Sequence, residues 1–172
     1  MSSFIETDIR DYHDNIIKAF ADDWALITAC DENNAMNTMV GGWGGVGYMW
    51  GKPVFTCVIR PQRYTFRFAQ ACERMTLSFF DGGYRDALKL LGTVSGRDCD
   101  KIAQSGLTPV RDGDIAYFEE ASTVMVGRKL YVAQMTKEAF LDESLRHAKY
   151  PEEDYHYTYV CEIEKLLKKK AD

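Results

Sequence analysis

Acidic residues are missing from one long stretch of this chain. Residues 33–72 contain no Asp or Glu, although 26 acids spread evenly over 172 residues would place about six there. The same stretch carries Lys52, Arg60, Arg63 and Arg67, so a protein of formal net charge −5 contains one basic tract. The overall charge argues against nucleic acid as a partner, since that requires a basic surface. Cysteine is sparse and widely spaced: Cys30, Cys57, Cys72, Cys99 and Cys161 are odd in number and form no C-x-x-C pair. That excludes a disulfide framework and a zinc ribbon, and leaves scattered buried thiols with no metal expected. Long apolar runs are absent too. The uncharged window 33–51 holds six glycines and three asparagines, too little apolar surface for a membrane span. The opening residues MSSFIETDIRDYHD have acids where a secretory signal has a basic region and an apolar core. No membrane association and a cytoplasmic location are expected.

What is present fits a globular protein. Apolar residues make up 46% and charged residues 27%, and no linker, repeat or low-complexity segment divides the chain, so a single domain over 1–172 is expected. Helical spacing of Tyr12, Ile16, Ile17 and Phe20 predicts a helix over 11–20. Further helices are expected over 63–71, 85–91 and 98–104, and a basic helical turn over 164–170. The short apolar, β-branched runs 24–30, 54–59 and 75–80 read as strands, as do 117–118, 122–134 and the alternating 155–163. Six or seven strands with short helices and no regular βαβ alternation predict a mainly β protein, a β-barrel with helical insertions.

Two segments carry candidate chemistry. In Asn37-Thr-Met-Val-Gly-Gly-Trp-Gly-Gly-Val-Gly47 the glycines allow a backbone to approach a flat ligand closely, although a β-bulge or tight connection has the same composition. No G-x-G-x-x-G or G-K-[ST] pattern is present. In Val58-Ile-Arg-Pro-Gln-Arg-Tyr-Thr65 a strand ends, two guanidiniums follow three residues apart, and a helix starts with a hydroxyl in its first turn. Those groups suit a phosphate; they equally suit carboxylates of the chain itself. Ser95 and Lys101 in Ser95-Gly-Arg-Asp-Cys-Asp-Lys101 could add to an anion site, or mark ordinary helix capping. Among the histidines, His13 and His147 read as solvent-facing. His156 has a candidate catalytic role, with a hydrogen bond inside the barrel as the alternative.

In this order, the segments Asn37-Thr-Met, Gly42-Trp-Gly44, Trp50-Gly-Lys-Pro53, Arg60-Pro-Gln-Arg-Tyr-Thr65, Ser95-Gly-Arg-Asp98 with Lys101, Gly106-Leu-Thr-Pro109 and Asp154-Tyr-His156 resemble the flavin reductase-like, FMN-binding split-barrel family, in its flavoredoxin-like branch. The resemblance implies a split β-barrel of FMN-binding type and a homodimer with one FMN per subunit. It also implies an oxidoreductase that takes electrons from NAD(P)H or a redox protein and passes them to a flavin or other acceptor. A flavoredoxin-like carrier without direct NAD(P)H use, and a flavin-free binding module, are the alternatives. By the same resemblance Asn37, Thr38, Met39, Val40, Gly41, Gly42, Trp43 and Gly44 would line the flavin ring. Arg60, Arg63, Tyr64 and Thr65 would hold its phosphate, with Ser95, Gly96 and Lys101 closing the site. Val40 stands where the family commonly has Thr, and Gly42 where a small hydroxyl residue is common. Two side-chain hydrogen bonds to the flavin are therefore expected to be missing, with weaker FMN binding or a shifted potential as the consequence.

Overall fold

A computed structural model describes residues 3–170. Its elements in chain order are β1 (Phe4–Thr7), α1 (Ile16–Lys18), β2 (Ala25–Cys30), β3 (Met36–Gly41), β4 (Gly44–Met49), β5 (Lys52–Ile59), α2 (Thr65–Ala71), β6 (Arg74–Phe79), α3 (Arg85–Thr93), α4 (Lys101–Ser105), β7 (Pro109–Asp112), β8 (Ile115–Phe118), β9 (Thr123–Gln134), α5 (Glu143–Lys149) and β10 (Tyr157–Lys169). The protein is mainly β with short helices. Eight strands form one antiparallel sheet in the order β3-β2-β6-β9-β10-β5-β4, with β1 also on β10, and β7 and β8 form a separate hairpin.

The period-two alternation of β-structure sorts side chains onto two cores. Ala25, Ile27 and Ala29 of β2, Phe55, Cys57 and Ile59 of β5, and Met75, Leu77 and Phe79 of β6 meet Met39, Met125, Tyr159 and Cys161 on the inside. Strands from opposite ends of the sheet order share this core, so the sheet curls on itself. The other face of β2 and β9, with Leu26, Val124 and Val126, packs under Leu88 and Leu91 of α3 and under Ile115, Tyr117 and Phe118 of β8. All six residues of β2 are consequently buried. The thirteen residues of β10 organise the split: β9 lies along one side, while the other side is taken first by β5 and then by β1.

Several expectations need correction. Residues 11–20 do not form one helix. Asp11 closes a 3₁₀ turn, Ile9–Asp11, and the Asn15 side chain accepts from Lys18 N at 3.1 Å to start a new helical turn that widens over Ala19–Asp23. Residues 164–170 are not a helical turn either, because β10 continues to Lys169. Leu166 is buried between Met125 and Thr7, and pairing with β1 and β9 overrides the local lysine-rich composition. The glycine-rich segment is two strands, β3 and β4, joined at Gly42-Trp43. Strands β1 and β7 are further additions. Cys30, Cys57 and Cys161 are buried thiols, whereas Cys72 and Cys99 are partly exposed.

Candidate functional site

Register places the candidate residues. Pairing of Ala29, Ile27 and Ala25 with Asn37, Met39 and Gly41 puts these three on one face of β3. Beside them β5 ends at Ile59, opposite Tyr157 of β10, so His156 arrives next to Arg60. The chain then turns, with Arg63 N donating to Arg60 O at 3.0 Å, and enters α2. From the other side α3 ends and the turn through Ser95, Gly96 and Arg97 closes on β3. Gly96 fits only because it lacks a side chain: a Cβ there would lie 2.5 Å from Asn37 Oδ1 and 3.1 Å from the Tyr64 ring.

Two adjoining cavities result. The smaller, about 220 Å³, is lined by Met39, Val40, Gly41, Gly42, Trp43 and Val58 with Arg60, Arg63 and His156. The larger, about 510 Å³, shares Met39, Arg60 and Arg63 and is completed by Asn37, Tyr64, Thr65, Ser95 and Lys101, together with Gln62, Thr93, Val94 and Arg97. Among the described residues no carboxylate lines either space. The acid-free tract thus becomes two acid-free cavities in contact.

The cations are not equivalent. Arg60 is committed: Nη1 donates to Asp154 Oδ2, Nη2 donates to Lys149 O at 2.8 Å, and the guanidinium lies 5.2 Å from the Tyr150 ring centroid. Burial works to raise the Asp154 pKa, but hydrogen bonds from Gln62 and Arg60 prevail and the carboxyl is held below its usual range. Arg63 donates to Gly92 O at 3.1 Å and forms no ion pair among the described residues. Lys101 is only 4% exposed, donates to Leu91 O at 2.8 Å, and has its pKa pulled down to about 8 by burial and then by Arg63. Arg63 and Lys101 therefore bring positive charge to the larger cavity with carbonyl oxygens rather than carboxylates as acceptors.

His156 is 8% exposed, shares a 2.8 Å hydrogen bond between Nδ1 and the Tyr150 hydroxyl, and lies 5.1 Å from the Trp43 ring centroid. Burial, reinforced by Arg60, lowers its pKa to about 4. At neutral pH it is an uncharged wall of the smaller cavity rather than a cation.

Three expected residues lie outside both cavities. Thr38 points to the opposite face of β3, where its hydroxyl bonds Thr28 Oγ1 at 2.8 Å and donates to Ile27 O at 3.1 Å. Gly44 packs against Phe20, whose ring would be 2.8 Å from an added Cβ, and against the Thr56 carbonyl. Gly96 borders a third cavity beyond Tyr64. Val40 reaches the smaller cavity, but its side chain also packs at Gly92 of α3. Arg97 was missed: its Nη1 donates to Gln62 O at 3.1 Å, and its guanidinium lies 5.0 Å from the Tyr64 ring centroid. The available signal was its place between Ser95 and Lys101, masked by neighbouring Asp98 and Asp100.

Neither a protein-family model nor a curated protein sequence matches the chain. Solved structures do. The flavoredoxin of Desulfovibrio vulgaris (Miyazaki F) superposes with a TM-score of 0.65 at 22% identity, over 87% of this chain and 69% of that one. An FMN-binding domain of a flavin reductases-like enzyme from Shewanella baltica OS155 gives 0.66 at 12% identity, over 96% and 77%. An FMN-binding protein from Thermus thermophilus gives 0.64 at 20% identity, over 94% and 74%. With the curled, divided sheet and the resemblance of its segments, these likenesses identify the fold of the chain as the split barrel of the FMN-binding, flavin reductase-like proteins.

Proposed function

We propose that this chain is an FMN-dependent oxidoreductase that takes electrons from NAD(P)H and passes them to a flavin or another acceptor. One observation carries the reading: the narrow Gly/Trp cavity and the broader basic cavity meet at Met39, Arg60 and Arg63, with no carboxylate lining either. A flat ring joined through a polyol to a phosphate requires that sequence of surroundings.

The donor set fits FMN. Backbone at Gly41 and Gly42 can face the polar edge of the ring, Trp43 and His156 wall it, and Arg63, Lys101 and the Thr65 hydroxyl suit the phosphate. The Thr65 hydroxyl already accepts from Asn37 Nδ2 at 2.8 Å, which orients its proton outward as a donor. Arg60, fixed by Asp154, keeps positive potential at the junction, which favours negative charge arriving at the ring. When bound, FMN supplies the electron-accepting chemistry, and the chain's tasks are placement and electrostatics. His156, neutral and hydrogen-bonded to Tyr150, serves as a wall and not as a proton source at neutral pH. Val40 and Gly42 offer no hydroxyl to the ring, so the phosphate contacts bear a larger share of the affinity.

The working unit is proposed to be a homodimer. Tyr48, Met49 and Trp50 at the end of β4 and Tyr131 and Val132 on β9 are exposed large apolar residues, and the Trp50 and Tyr131 rings lie 6.3 Å apart between centroids. A second copy would cover this patch. The test of the redox reading is the visible spectrum of the purified protein supplied with FMN, followed by rapid mixing with NADH and NADPH. Bleaching of the bound-flavin band is expected. A protein that binds FMN but is reduced by neither nucleotide is a carrier served by a redox protein, and the reductase reading fails.

A further inference from the structure

The pairing of β2 with β3 stops at Ala25 opposite Gly41, one rung short of Trp24 and Gly42. Trp24 leaves the ladder with φ +67° and ψ 148°, a backbone conformation that is costly for a bulky side chain. Such a conformation persists where its surroundings impose it, and contacts on both sides do so here. Arg85, at the start of α3, places its guanidinium 4.0 Å from the centroid of the Trp24 ring and donates from Nη2 to Asp22 O at 2.7 Å. Lys18 Nζ donates to Asp23 Oδ2 at 2.6 Å across the widened turn Ala19–Asp23. Phe20, in the same turn, is buried in the inner core with its ring edge-on to Phe79.

This strained turn backs the ring cavity. A Cβ on Gly42 would lie 3.5 Å from Phe20 O and 3.9 Å from Trp24 Cδ1, and one on Gly44 would lie 2.8 Å from the Phe20 ring. The bend at Gly42-Trp43, which lines the cavity, is therefore held from behind by the turn that Trp24 closes.

We propose that Trp24, clamped by Arg85, is a positioning residue for the flavin ring: it fixes the backbone of Gly42 from outside the cavity. The inference rests on the FMN reading, which assigns the ring to that cavity. Val40 and Gly42 offer no hydroxyl, so main-chain groups of the Gly41-Gly42 segment are the polar surface left to the ring edge, and their placement decides how well that edge is met. Trp24 lines neither the ring cavity nor the phosphate cavity and acts through its contact with Gly42. α3 completes the frame. Its first residue, Arg85, holds Trp24, while near its other end Gly92 O accepts from Arg63 at 3.1 Å and Leu91 O accepts from Lys101 at 2.8 Å. One helix thus braces the ring side at its start and the phosphate side at its end.

The experiment is fluorescence titration of the wild type, Trp24→Gly, Trp24→Phe and Arg85→Ala with riboflavin and FMN, together with the reduction potential of the bound flavin. Glycine adopts a positive φ freely, so Trp24→Gly removes the indole without adding strain. It should weaken riboflavin and FMN alike, by about tenfold, and make the potential more negative, because the donors that stabilise the reduced ring are less well placed. Arg85 is exposed, so Arg85→Ala releases the clamp without opening the core, and it should weaken both ligands about three- to fivefold. Trp24→Phe should recover most of the affinity. Gly127→Ala, which crowds the inner core at Phe55 and Cys161, is the control: it should lower the thermal midpoint and leave both affinities unchanged. Unchanged riboflavin affinity in Trp24→Gly and Arg85→Ala would overturn the assignment and leave the FMN reading standing. A loss confined to FMN, an equal loss in Gly127→Ala, or Trp24→Phe binding no better than Trp24→Gly would do the same. A wild type that binds neither flavin would remove the FMN reading as well.

Discussion

In the proposed site, Lys101 is the residue at which the charge of a bound phosphate would couple most directly to the protonation of the protein. Its amine sits near the protonation midpoint because burial and Arg63 lower its pKa to about 8. A bound phosphate favours the charged form, so the free protein must take up a proton on binding once the pH exceeds that value. FMN affinity should be flat below about pH 7 and fall by up to about tenfold per unit above pH 8, while riboflavin affinity stays flat. Lys101→Met should bind FMN more weakly and lose the pH dependence; titration across pH 6.5–9.5 reads both. His156 is the opposite case. Its pKa of about 4 lies below the roughly 6.5 of an unfolded histidine. Between those values the unfolded chain binds more protons, so this contribution to stability is lost as pH falls from about 6.5 to about 4, on the order of 3 kcal/mol in all. His156→Gln should flatten that part of the acid limb, measured as the difference in urea midpoints between pH 7 and pH 4.5.

At the scale of elements, close approach governs what can change. Gly127 of β9 faces Phe55 of β5 across the inner core, and a Cβ there would lie 2.5 Å from Phe55 Cζ and 2.8 Å from Cys161 Cβ. Both neighbours are fully buried and have nowhere to move. Gly127→Ala is expected to destabilise by about 1–3 kcal/mol, whereas Gly47→Ala, with nothing within 4 Å of the added atom, should shift the thermal midpoint little. The elements legible in the sequence include those whose own composition decides them: β2, β5, β6 and β9 with their apolar, β-branched runs, the alternating first half of β10, and α2, α3 and α4 with helical spacing or a capped start. The elements that were not legible depend on partners distant in the chain. β10 carries Lys165, Lys168 and Lys169 in its second half and is extended because β1 and β9 pair with it. The glycine-rich segment of β3 and β4 was not read as two strands because glycine has low strand propensity; their strand state comes from β2 and β5. The site divides in the same way. Arg60, Arg63 and Lys101 could be read from the charge pattern and the motifs, and Met39 from the family resemblance, but strand register turns Thr38 away, and Arg97 enters only through a turn that closes in space.

On the scale of the whole molecule, the apolar patch at the end of β4 is the feature a lone copy leaves unexplained. Trp50 is 59% exposed and Tyr131 50%, and their rings, 6.3 Å apart between centroids, form an apolar pair suited to cover by a second copy. Light scattering coupled to size-exclusion chromatography should give a dimer, and Trp50→Asp should shift it toward monomer without loss of strand signal in circular dichroism. A monomeric wild type would count against the homodimer. Among the described residues no helix is long and apolar enough to cross a membrane.

The central claim is that the acid-free tract folds into a ring cavity and a phosphate cavity that meet at Arg63. Flavin-fluorescence titration of the wild type and Arg63→Ala with FMN and riboflavin tests it most directly, since the two ligands differ only by the phosphate. FMN should bind the wild type more tightly than riboflavin, and Arg63→Ala should cost FMN about tenfold to a hundredfold while leaving riboflavin unchanged. Equal losses for both ligands, or no quenching of FMN by the wild type, would contradict it.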